Sequence, residues 1–167
     1  SLYQAPINND GTTGKATMFQ PIPEINIPSG PAAFAPNGQF HMVTRNKVAS
    51  LREARSRKKD ITLGLYQSQR LPNNRWDTYT PVAFSENSDF SYGQPSVSPD
   101  GKQLYFVSDQ EGGQGKTDIY MSTRVADGWS EPVNLGSAIN TPGRELFPYY
   151  HPSGKLYFAS DGHEGPG

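Results

Sequence analysis

The chain has 167 residues, the length of one medium domain, and 17 Gly plus 15 Pro punctuate it, which excludes long helices from nearly all of it. Only 34% of residues are hydrophobic, yet 19 are aromatic, which excludes disorder, and the lack of cysteine excludes disulfides, thiolate metal sites and a cysteine nucleophile. The net charge of −1 is unevenly spread: residues 45–59 hold seven basic residues and one acidic, leaving eight basic against fifteen acidic elsewhere.

In chain order, Leu2-Tyr3-Gln4 reads as a short strand and Phe19-Gln20-Pro21-Ile22 as the next. Neither a basic, then apolar leader nor an apolar run long enough for a membrane-spanning helix is visible. Ala35-Pro36-Asn37-Gly38 is a turn leading into the buried strand Phe40-His41-Met42-Val43. The basic segment Arg45 to Lys59 follows, with Val48, Leu51 and Ala54 spaced for one stripe of a short helix, or else a solvated insertion. Leu65-Tyr66-Gln67 is a third strand, and Trp76 with Tyr79-Thr80-Pro81-Val82 a fourth.

The pattern then repeats. Ser98-Pro99-Asp100-Gly101 leads into Leu104-Tyr105-Phe106-Val107, followed by the loop Gln110 to Thr117, Ile119-Tyr120-Met121 and Trp129-Ser130-Glu131-Pro132-Val133. His151-Pro152-Ser153-Gly154 leads into Leu156-Tyr157-Phe158-Ala159. Pro36, Pro99 and Pro152 are 63 and 53 residues apart, and the extra ten fall within the basic insertion. Four strands at this period mark a β-propeller blade.

The expected fold is therefore all-β, a partial β-propeller of about three four-stranded blades from a six- to eight-bladed ring. Residues 1–30 are the second half of a blade, 31–92 a full blade with the insertion at 45–60, 93–145 a second full blade and 146–167 the first half of another. Blades cover one another's apolar faces, so the remaining blades are expected from the same longer protein or from another chain, a second copy included. Asn37-Gly38, Asp100-Gly101 and Ser153-Gly154 supply positive φ for two-residue turns. Trp76 and Trp129 are expected between blades. Asp109, Asp118 and Asp161 adjoin strand ends, where a carboxylate holds a loop by accepting backbone N–H groups. In the first full blade Arg45 takes the place of Asp109 and Asp161, Gly64 that of Asp118, and His41 that of Tyr105 and Tyr157.

Pro99-Asp100-Gly101-Lys102, Leu104 to Asp109 and Asp118-Ile119-Tyr120 resemble the WD-like propeller repeats of TolB-type proteins. Leu135-Gly136, Ile139-Asn140-Thr141, Glu145, Pro148 and Leu156 to His163 with Gly165-Pro166-Gly167 resemble the propeller of OmpA-family, peptidoglycan-associated envelope proteins of Bacteroidetes-type bacteria. The PorE component of type IX secretion belongs to that group. The resemblance implies a periplasmic, outer-membrane-associated propeller, with peptidoglycan bound only through a domain not present here.

No catalytic, cofactor or metal residue is identified. Gly112-Gly113-Gln114-Gly115-Lys116-Thr117 has the wrong spacing for a phosphate loop and lies between strands. Asp109-Gln110-Glu111 and Asp161-Gly162-His163-Glu164 lack calcium- or zinc-site spacing. There is no Gly-x-Ser-x-Gly elbow, and His41 reads as a core residue, not a base. The expected role is a non-enzymatic scaffold binding envelope or secretion-system proteins, with Arg45, Lys47, Arg52, Arg55, Arg57, Lys58, Lys59, Arg144 and His163 as candidate partner-binding residues. Nucleic acid is not expected, because the overall charge is not basic. The alternatives are a propeller gating a serine peptidase and one binding glycan or muropeptide in its central channel.

Overall fold

The computed structural model describes residues 2–19, 29–47, 62–86 and 88–165. β1 (Tyr3–Gln4) and β2 (Thr17–Met18) pair antiparallel as a first sheet. The second sheet is the meander β3 (Ser29–Phe34), β4 (Phe40–Asn46), β5 (Leu63–Gln69) and β6 (Thr80–Pro81). A single helical turn, α1 (Ala83–Glu86), leads to the third sheet, β7 (Tyr92–Val97), β8 (Gln103–Ser108) and β9 (Asp118–Val125). Its fourth position is shared by β10 (Gly128–Trp129) and β11 (Val133–Asn134), both paired with β9. The hairpin β12 (Glu145–His151) and β13 (Lys155–Ser160) is the fourth sheet.

The sheets stand face to face in chain order. β7, the first strand of its sheet, lies against both β3 and β12, the first strands of its neighbours. Each of the three is kinked by a register shift, and in β7 and β12 the kink holds a non-glycine residue at positive φ, Gln94 and Phe147, both at 54°. The kink turns backbone groups out of the ladder. The Gln94 N–H thereby donates to Thr44 Oγ1 of the second sheet (2.9 Å), and Gln94 Oε1 accepts the Phe147 N–H of the fourth (2.6 Å). Four-stranded meanders joined side by side through their first strands are blades. The fold is a partial β-propeller.

The main core lies between the second and third sheets. Met42, Leu65, Leu104 and Phe106 are fully buried there, joined by Phe40, Tyr92 and Tyr120. Burial of each such side chain contributes about 1.5–3 kcal/mol. β4 and β8 are covered on both faces, as their unbroken apolar runs imply. Both tryptophans pack between sheets: Trp129 against Phe40 (centroids 6.0 Å), and Trp76 against Phe19 beyond β2 (5.7 Å) and His41 (4.4 Å).

Three expectations need correction. The fourth strand of the first sheet is Thr17–Met18, with only Phe19 of the expected segment described, and the Trp129–Val133 strand is split in two. The turns are longer than two residues: the Gly38, Gly101 and Gly154 N–H groups close on the carbonyls of Ala35, Ser98 and His151, and these glycines take positive φ (66°, 71° and 81°) just after the turn. The equivalences in the first full blade also shift by one. Ala35 pairs through its N–H with Phe40 as Ser98 does with Gln103, so His41 corresponds to Leu104 and Leu156, Arg45 to Ser108 and Ser160, and Asn46 to Asp109 and Asp161. Phe40 is apolar where Gln103 is polar because Trp129 and the Arg124 guanidinium cover it, which disguised the register. Gly64 does correspond to Asp118, each facing the aligned residue of the neighbouring strand.

Candidate functional site

The up-and-down course of the strands brings the connections from second to third strands, and those between sheets, to one end. Carboxylates and amides hold this end in shape. Asp109 accepts the Ser91 N–H (2.7 Å), and Asp161 accepts the Arg144 N–H, the same tie one blade later. Asp118 accepts the N–H groups of Gln114 and Gly115 and the Asn134 amide, fixing the glycine-rich segment as a structural loop. All three aspartates hold loops as expected.

Two buried polar residues extend this framework. Asn140 accepts the Ile119 N–H (2.8 Å) and donates to the Ile119 carbonyl (3.0 Å), imitating a strand along the edge of β9. Glu145 is fully buried at the start of β12. Burial raises its pKa, but the Thr141 hydroxyl and N–H and the Ser160 hydroxyl outweigh this, and the net shift is downward. Sequence reading named both residues only within a family resemblance and missed their roles, since nothing in the local sequence marks an Asn or Glu beside a strand start as buried.

Between the second and third sheets, at this end, lies a crevice of about 370 Å³. Pro31, Leu63, Val107 and Leu146 give it apolar walls, and Asp109 and the buried Arg45 also contribute to the lining. Segments 20–28 and 48–61 join the described chain here.

The candidate residues fall into separate groups. Arg45 is 6% exposed, its guanidinium over the rings of Tyr79 (4.8 Å) and Tyr66 (5.6 Å), so its charge is held within the fold. Lys47 donates to the carbonyls of Ser88 (2.9 Å) and Phe90 (2.6 Å) and lies over Tyr92, bridging the second sheet to the lead-in of the third. Burial lowers its pKa to about 8. Arg144 pairs with Asp161 (3.3 Å), and His163 Nε2 bonds the Ile139 carbonyl (2.8 Å), both exposed at the corner between the third and fourth sheets. Arg52, Arg55, Arg57, Lys58 and Lys59, with the expected helical stripe, lie outside the described residues. Among the described residues no group of His, Asp and Glu could hold a metal ion.

No protein-family model matches the chain. No curated protein matches it either. Among solved structures it is similar to TolB from Acinetobacter baumannii, with 19% identity and a TM-score of 0.47 over 81% of this chain. The match spans 27% of that chain.

Proposed function

We propose that the chain is a protein-binding propeller scaffold and that its crevice receives an apolar side chain from a partner's loop. The observation that carries this is the crevice itself: mostly apolar walls, with the bond from the Ser91 N–H to Asp109 fixing one side of the lining before a partner arrives. Capture of apolar side chains by a preformed pocket is how partners anchor at interfaces. The periplasmic setting, peptidoglycan association and a secretion-system partner rest on the sequence resemblance, as does the supply of further blades on the repeat pattern.

A photoreactive residue at Leu63, introduced in the native host, tests the reading. A discrete protein adduct that disappears when Leu146→Trp fills the crevice supports it. Adducts unaffected by the filling place binding elsewhere. Charge reversal at Arg55, Lys58 and Lys59 is a separate check: weaker adduct formation assigns the basic insertion to the same partner, and unchanged formation removes it from the docking surface.

A further inference from the structure

A second groove, of about 380 Å³, lies at the opposite end of the same two sheets, where neither segment 20–28 nor 48–61 joins the chain. Its volume is within the range of small-molecule sites, about 300–1,000 Å³. One wall is β5, where Gln67 and Gln69, two residues apart, present amides on one face, with Thr80 beside them. The other wall is the turn from β9 to β10, with Arg124, Asp127 and Trp129.

The polar groups are set before any ligand arrives. Trp129 Nε1–H donates to Gln67 Oε1 (2.9 Å), which fixes the indole and turns the Gln67 amide nitrogen away from that bond. The Arg124 guanidinium lies over Phe40 (4.4 Å) and beside Trp129 (5.7 Å). Gln69, Thr80, Arg124 and Asp127 are exposed.

The chemistry of this lining selects among ligand classes. An anion meets Asp127, and a cation meets Arg124. An apolar ligand strips water from two amides and a guanidinium with nothing to replace it, at about 1–3 kcal/mol for each group left unpaired. A polyhydroxylated ligand avoids all three costs, since each hydroxyl both donates and accepts, and the C–H face of a sugar ring suits an indole wall. We infer that this groove binds a neutral oligosaccharide. The site is independent of the loop-end crevice.

The two tryptophan indole N–H signals, told apart with Trp129→Phe, provide the readout. Maltotetraose, cellotetraose and tetra-N-acetylchitotetraose are each titrated into the 15N-labelled chain, with inorganic phosphate as the anionic comparison. The expected result is a saturable shift of the Trp129 signal with at least one sugar while the Trp76 signal stays still. Gln69→Ala with Asp127→Ala, both on exposed side chains, should weaken that sugar at least about tenfold, equivalent to 1.4 kcal/mol. No shift with any of the three sugars, a shift with phosphate only, or undiminished affinity in the double variant overturns the inference. If the double variant does not fold, the titration of the unaltered chain decides by itself.

Discussion

His41 shows how a polar residue survives at a core position. It stands where later blades carry Leu104 and Leu156, fully buried, its ring stacked on Phe34 and edged by Phe19 and Trp76. Nε2 bonds the Tyr79 hydroxyl (2.8 Å), while Nδ1 has no hydrogen-bond partner among the described residues. Burial pulls its pKa from 6.5 to about 4, so the folded chain holds a neutral imidazole. The unfolded chain binds the proton more readily, so this contribution to stability is present above pH 6.5 and is lost as pH falls towards 4. The loss is of order 2–3 kcal/mol. Denaturant midpoints measured across that window should decline in the parent chain and decline less in His41→Leu; parallel curves would assign the acid sensitivity to other groups. Lys47→Met leaves two carbonyls without their ammonium donor, and a loss of about 1–3 kcal/mol is expected from the same measurement.

At the scale of an element, a strand end and its loop act together. Asp118→Ala removes the acceptor for the Gln114 and Gly115 N–H groups, so those two amides should exchange with solvent faster while β8 amides keep their protection. Equal acceleration throughout the sheet would mean that the carboxylate supports the whole blade. Gly101→Ala places a side chain at φ 71° with open space around it, so a cost of about 1–2 kcal/mol from backbone strain alone is expected, seen as a lowered thermal midpoint. The strands and turns were legible because Pro, turn residue, Gly and aliphatic run recur as a unit, and aspartates beside strand ends have a local reason to be there. The exact register was not legible: Phe40 extends an apolar run by one residue for a reason that lies 89 residues away at Trp129. Nor was the rim groove, although the alternation of Gln67 and Gln69 on β5 offered a faint signal of a polar face.

For the whole molecule, exposure rises towards the outermost sheets. Tyr105 is 8% exposed, stacked on Tyr150 of the following sheet, while its equivalent Tyr157 is 53% exposed. Phe147 and Tyr149 on β12, and Tyr3 and Met18 on the first sheet, are likewise open. Exposed apolar area of this kind marks surfaces that other protein covers, in keeping with the proposal that further blades complete the ring. Hydroxyl-radical footprinting of the 167-residue chain at rising concentration checks whether a second copy can do so. Protection of Tyr157 that grows with concentration, with Tyr105 constant, assigns the role to self-association; constant labelling of Tyr157 leaves it to blades from a different or longer chain.

The Thr44, Gln94 and Phe147 ties have a mechanical meaning. Within each sheet the strands are neighbours in sequence, and between sheets these kinks add a few side-chain clasps near the axis. A tether pulled at its two ends should therefore unzip sheet by sheet, as stacked repeats do, with a stepped force trace, and Gln94→Ala should lower the step at which the fourth sheet peels from the third.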